Sequence, residues 1–176
     1  MSGKIIGIFI VIVSLIAGGA LYYLQVYAFY AAVEPNGVSD VQMTPIIGGQ
    51  PEPILYDDFQ AIDANSSPVR YRACFTTPQS QAMMTETYVT YDRAEPLEAP
   101  GWFDCFNADD IGAALENETA FAFMGTENIT YGIDRVIAIM DDGRGFVWHQ
   151  INACGEVVFD GRPTPDGCPE PPVTDR

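Results

Sequence analysis

The chain has one histidine, His149, so any mechanism that needs an imidazole must use it. It stands in the run Phe146–Asn152, where strand alternation sets Val147 and Ile151 on its own face and Trp148 and Gln150 on the other. A histidine among apolar strand neighbours reads as a packed, hydrogen-bonded residue. As a base or ligand it would work with Arg135 or Glu156, the most reactive groups to set beside it. No Gly-x-Ser-x-Gly elbow offers a serine nucleophile, and no Gly-x-x-x-x-Gly-Lys-Ser/Thr loop offers a phosphate cradle. The carboxylate pairs Asp57/Asp58, Asp109/Asp110 and Asp141/Asp142 say little, because turns and helix starts favour aspartate. The run Asp141–Gly145 lacks the alternating ligands and closing glutamate of a calcium loop. No cofactor and no metal site is expected, and His149 is the one weak catalytic candidate.

Four cysteines, Cys74, Cys105, Cys154 and Cys168, all follow the apolar N-terminal segment. An even count confined to that part suits disulfides in an oxidising compartment. Three pairings are open. Cys154 and Cys168 flank the turn-rich stretch Gly155–Gly167, so the expected pairing closes that loop and leaves Cys74 with Cys105. Zinc is the alternative use, but there is no Cys-x-x-Cys and one histidine only.

These residues need a scaffold, and the pattern supplies an α+β one. Val69–Phe75 alternates as a strand, with Arg70, Arg72 and Cys74 opposite Tyr71, Ala73 and Phe75. Thr77-Pro78 signals a helix start, with the helix reaching Tyr88 and Ala82, Met83 and Thr87 facing inward. Asn107 caps a second helix to about Asn117, with Asp109 and Asp110 in its first turn. Strands follow at Thr119–Met124, Tyr131–Met140 and Gly145–Asn152, the last two joined by the hairpin signal Asp141-Asp142-Gly143-Arg144. The expectation is a disulfide-stapled domain over 56–168, with an antiparallel sheet of about four strands and two helices. A helical turn is expected at Asp57–Gln60 and a frayed tail over 169–176. There are no internal repeats.

Before the domain, Ile5–Val33 is 29 residues without a charge. About 20 apolar residues cross a bilayer, so 5–33 is expected to be a transmembrane anchor in contact with lipid. Tyr22, Tyr23, Tyr27 and Tyr30 gather at its far end, as rings do where hydrocarbon meets headgroups. Lys4 precedes the run, and Glu34 and Asp40 are the first charges after it, which places residues 1–4 in the cytoplasm and the domain across the membrane. A cleaved signal peptide would use the same Lys4, the stretch Ile5–Ile16 and the small residues Gly18 and Ala20. The apolar run continues well beyond Ala20, which favours the uncleaved anchor. Residues 34–55, dense in proline and glycine, read as an extended neck holding the domain off the membrane.

Charge narrows the partners. The formal net charge is −16, with 24 carboxylates, all after residue 33, and Lys4 the only lysine. A surface this acidic repels phosphate backbones, so neither nucleic acid nor nucleotide is an expected partner. The sequons at Asn65, Asn117 and Asn128 read as chance matches.

The strings Leu21-Tyr22-Tyr23-Leu24, Tyr71-Arg72-Ala73-Cys74-Phe75, Pro100-Gly101-Trp102-Phe103-Asp104-Cys105-Phe106 and Trp148-His149-Gln150-Ile151-Asn152 resemble an uncharacterised family of alphaproteobacterial, single-pass membrane-anchored proteins. The resemblance implies a bacterial inner-membrane protein facing the periplasm, and it brings no activity. Some members carry the label histidine kinase. The residues here do not support that label, because a kinase needs a phospho-accepting histidine on a dimerising helix and a cytoplasmic ATP-binding domain. The expected function is an interaction or accessory module binding another envelope protein. The competing reading is an enzyme, or a carrier of a ligand or metal centre, built on His149. Convergence of His149, Arg135 and Glu156 in a deep pocket would favour the enzyme, and packing or dispersal would favour the module.

Overall fold

The computed structural model describes residues 3–172; the first residues of the expected cytoplasmic N-terminus and the end of the expected tail lie outside them. The chain opens with the helix α1 (Gly3–Tyr23) and a π-helical turn (Leu24–Ala28). Together they are long and apolar enough to cross a membrane or to act as a signal sequence, and none of α1 is buried by the rest of the protein. The strands are β1 (Ala31–Ala32), β2 (Gln42–Met43), β3 (Glu52–Pro53), β4 (Asp57–Asp63), β5 (Arg72–Thr76), β6 (Ala120–Thr130), β7 (Ile133–Met140) and β8 (Arg144–Ile151). Three helices complete the domain: α2 (Gln81–Thr87), α3 (Ala108–Glu116) and α4 (Ala153–Phe159).

The main sheet has six antiparallel strands in the order β1-β4-β5-β8-β7-β6, with β2 and β3 forming a separate ribbon. The sequence expectation of about four strands missed β1, which is only two residues long, and β4. The expected helical turn at Asp57–Gln60 is the start of β4; a bulge there, with Asp58 at φ 53°, breaks the alternation that would have marked a strand. The β7–β8 hairpin is as expected, with Gly143 at φ 85° in its turn.

Both faces of the sheet are covered, which is why β5, β7 and β8 are almost continuously buried. Alternation sorts their residues. Tyr71, Ala73, Phe75, Ile137, Ile139 and Val147 point to one side, where Val41, Met43, Ile54, Met84 and Tyr88 close over them. Cys74, Val136, Ala138, Phe146 and Trp148 point to the other, beneath Phe103, Phe106 and Ile111.

The expected neck over 34–55 is therefore in large part a layer of the domain. Val41 and Met43 are fully buried and Ile54 nearly so, and Asp40 is buried with them. Its carboxylate accepts hydrogen bonds from the Asn36 and Gly37 amides and the Tyr56 hydroxyl. Burial opposes ionisation of Asp40, but these donors outweigh it and hold the carboxyl below its usual range, while the same contact and burial push Tyr56 up to about 12. Proline and glycine in this segment shape turns between buried positions rather than a spacer.

Other local differences have local causes. The α2 helix starts at Gln81 with Ser80 as its cap, not at Thr77-Pro78, because Thr77 is occupied bonding the Gly143 and Leu55 carbonyls. This register buries Met84 and leaves Met83 exposed. Asn107 caps α3 as expected, accepting from the Asp109 and Asp110 amides. Both disulfides, Cys74–Cys105 and Cys154–Cys168, are those the spacing favours.

The β6 strand lies at the end of the sheet, but its outer side is met by other chain segments. The Thr44 amide bonds the Met124 carbonyl, the Met124 amide bonds Val89, and the Tyr91 amide bonds the Ala122 carbonyl.

Candidate functional site

His149 lies in β8 opposite Arg135 of β7, and both take the side of the sheet that carries Tyr71. The imidazole stacks on the Tyr71 ring with centroids 4.8 Å apart and planes 16° from parallel. Arg135 donates from Nε to His149 Nε2 at 3.0 Å and holds its guanidinium 4.6 Å from the Tyr71 centroid. His149 Nδ1 lies 2.8 Å from the Pro68 carbonyl. With Nε2 accepting, Nδ1 carries the proton and donates it to that carbonyl. Both ring nitrogens are therefore engaged.

Burial, and secondarily the Arg135 charge, lower the His149 pKa to about 4, and the imidazole is neutral at physiological pH. A general base works best with a pKa near its operating pH, so this ring is poorly tuned for one. Burial likewise raises Tyr71 to about 12 and lowers Arg135. Neither His149 nor Arg135 lines the clefts beside the 91–98 loop, at the β1–β4 edge or along α3. Glu156, the third group, is exposed in the first turn of α4 and lines a different space. The three side chains do not converge.

One residue along each strand, the chain presents another set of polar groups to the opposite side. Asp134 is buried in β7, and its carboxylate accepts from the Tyr91 hydroxyl (3.1 Å), the Asn128 amide (2.9 Å) and Asn152 Nδ2 (2.8 Å). Burial, then the adjacent Asp134, raise the Tyr91 pKa, so that hydroxyl keeps its proton. Asn152 Nδ2 also bonds Asn128 Oδ1, and Asn152 Oδ1 caps α4 by accepting from the Cys154 and Gly155 amides. Asn128 adopts φ 46°, a left-handed conformation asparagine tolerates, which turns its side chain to the Gly132 amide. Gly132 itself, at φ 76°, lies so close to Gly155 that a side chain on either would collide with the other's backbone. The β6–β7 turn and the start of α4 thus meet through bare backbone.

The loop before α3 is pinned to this side from below. Gln150 accepts from the Trp148 indole and the Glu95 amide, and donates to the Arg93 carbonyl. Arg72, buried, spends its guanidinium on the Leu97, Glu98, Val69 and Tyr71 carbonyls at 2.6–3.0 Å. Cys105 adds a covalent tie to Cys74. Between this loop and α4 lies a cleft of about 340 Å3, with Val69, Leu97 and Ile151 as its apolar lining and Arg93, Glu95 and Glu156 as its charges. A neighbouring cleft of about 320 Å3 shares Tyr91, Arg93 and Asn152 and reaches Asp134 and Glu127. Among the described residues, no group of three His, Cys, Asp or Glu side chains is arranged to hold a metal ion.

No local pattern points to Tyr91 and Asp134, whose contact spans 43 positions. The Asn152 cap followed by Glu156 in a first turn is a readable start signal for α4, but it falls where the expected strand Gly145–Asn152 runs into the expected stapled loop.

Residues 41–169 match DUF6446, a family of unknown function. The chain belongs to this family. The match begins at Val41, the first fully buried residue of the domain, and ends at Pro169, whose carbonyl accepts from the Tyr131 hydroxyl. The family region thus takes in most of the folded domain, from Val41 within the expected neck onward, and leaves α1 and β1 outside. Among curated proteins and solved structures, none matches the chain.

Proposed function

We propose that this member of the family is a membrane-anchored accessory module that binds another envelope protein through the cleft between residues 91–98 and the start of α4. The observation that carries this reading is the allocation of polar groups. The one imidazole is consumed in a closed stack with Tyr71 and Arg135, while Arg93, Glu95 and Glu156 stand around an apolar-lined cleft on a pinned loop. A small number of charges around apolar surface, on a rigid frame, is the make-up of a recognition site. A buried ring with both nitrogens engaged and its pKa lowered to about 4 speaks against the enzyme reading built on His149.

The address follows from the sequence. In this reading residues 5–28 span the inner membrane of a bacterium, stopping short of the expected Val33 because Ala31–Ala32 already join the sheet as β1. Lys4 stays in the cytoplasm, and the disulfides form in the periplasm. A C-terminal alkaline phosphatase fusion should be active and a C-terminal fluorescent protein fusion dark. The opposite pattern would reverse the topology. A photo-crosslinker at Ile151 or Glu156 should capture a discrete envelope protein in cells, and one at Phe121 should not. Equal capture at all three positions, or at none, would remove the cleft from the reading.

A further inference from the structure

We infer that Trp102, carried by the domain, is a membrane-interface residue that seats the domain directly on the phospholipid surface. The inference rests on the proposed membrane-spanning role of α1 and adds to it a contact made by a residue far along the chain.

The helical segment Gly3–Ala28 is 26 residues long. At about 1.5 Å per residue it is several residues longer than the roughly 30 Å hydrocarbon core requires. Anchored by Lys4 at one end, the surplus falls at the other, where Tyr22, Tyr23 and Tyr27 stand. Trp102 meets that end directly. Its indole N–H donates to the Val26 carbonyl at 2.7 Å, one of the carbonyls that a helix terminus leaves without a helical partner. Its ring lies 6.4 Å from Tyr27 and 20° from parallel, and Tyr27 in turn stacks on Tyr23 at 5.9 Å and 24°. Tyr30 meets the same indole edge-on at 6.1 Å.

Four rings of this junction remain open to the surroundings: Tyr22 at 62%, Tyr23 at 60%, Tyr27 at 46% and Trp102 at 38%. An exposed stacked column of this kind, apolar in body and polar at its tips, fits the headgroup boundary of a bilayer. Arg70 reinforces the junction, donating to Gln25 Oε1 at 3.1 Å and lying over the Tyr30 ring. No slack separates helix from domain, because Ala31 already pairs with Asp63 of β4. Trp102 therefore sits at the level of the ring belt rather than above it.

The chain's two tryptophans make the test direct, since Trp148 is fully buried. The full-length protein is reconstituted in phosphatidylcholine/phosphatidylglycerol vesicles whose acyl chains carry bromine near the headgroup end or near the chain terminus. Flotation in a density gradient, in carbonate, reads whether α1 is inserted. In floating protein, the Trp102 share of the emission should be lost to the headgroup-end bromine, and much less to the terminal one. The Trp102→Phe variant, retaining Trp148, should be unquenched by either. Floating protein with unquenched wild-type emission overturns the seating of Trp102 while leaving the span intact. Protein that fails to float overturns the span and, with it, the seating. Equal quenching of wild type and Trp102→Phe would assign the signal to Trp148 and also refute the inference.

Discussion

Asp134 and Arg135 are consecutive in one strand, and Gln150 and His149 face them in the next, yet the two pairs live in different worlds. On the Arg135–His149 side the buried imidazole is closed in by Tyr71 and engages Arg135 and Pro68. On the Asp134–Gln150 side they tie the 91–98 loop, the β6–β7 turn and the α4 cap into one network, and two clefts open beside it. The residue types would suggest the reverse order of interest, since histidine and arginine are the usual catalytic suspects. The side of the pleat a residue takes, and what lies over that side, decides which partners it meets.

The largest way to disturb this contrast is to cut the covalent tie under the loop. Replacing Cys74 and Cys105 together by serine opens a loop spanning 31 residues of sequence; the chain-entropy argument puts the loss at about 4 kcal/mol. The corresponding change at Cys154 and Cys168, spanning 14 residues, should cost about 3 kcal/mol. Urea denaturation of both variants checks the order, and a reversed order would mean that the loop is held chiefly by Arg72 and Gln150.

Acid should act on the closed side. The His149 pKa is about 4 in the fold against an ordinary 6.5. Between those values the unfolded chain binds more protons, so the stability this site contributes is complete above pH 6.5 and is lost as pH falls toward 4. The difference amounts to about 3 kcal/mol. Comparing the pH dependence of wild type and His149→Gln isolates it from the carboxylates. Parallel curves would show that the ring is better solvated than its packing indicates.

A smaller loss is expected on the open side. Asp134→Ala leaves the Tyr91 hydroxyl, the Asn128 amide and Asn152 Nδ2 without their shared acceptor. Buried without relief these would cost more, but water entering from the cleft limits the loss to about 2 kcal/mol. A loss well above that in thermal unfolding would mean that the network is as closed as the histidine stack.

The smallest effect is expected from His149→Gln at neutral pH, about 1–2 kcal/mol from lost stacking and hydrogen bonding. Any cellular defect should recover at lower temperature. A variant that melts normally yet behaves as a deletion would return His149 to the list of functional residues.

What the sequence disclosed follows the range of the forces involved. Asn107 and its two aspartates act within one turn, and the Asp-Asp-Gly hairpin within four residues, so α3 and β7–β8 were readable. The facing of His149 with Val147 followed from alternation alone. Residues 40–54 were not readable, because Val41 and Met43 are held by a sheet whose strands come later in the chain, and their Pro/Gly-rich surroundings mimic a linker. The open-side network was hidden for the same reason, because the bonds that join its parts, Tyr91 to Asp134 and Asn152 to Asp134, link segments distant in sequence.

The covering of β6 has a consequence for how copies of this chain meet. Eleven residues of bare strand edge would be a template on which a second molecule could hydrogen-bond and begin an aggregate. Thr44 and Val89–Tyr91 occupy the first half of that edge, at Ala122 and Met124, with bonds from the same chain, and at the other end of the sheet β1 is too short to recruit a stranger. Molecules crowded on a surface can therefore collide sideways without zipping together, and loosening residues 87–91 should reveal itself first as turbidity rather than as unfolding.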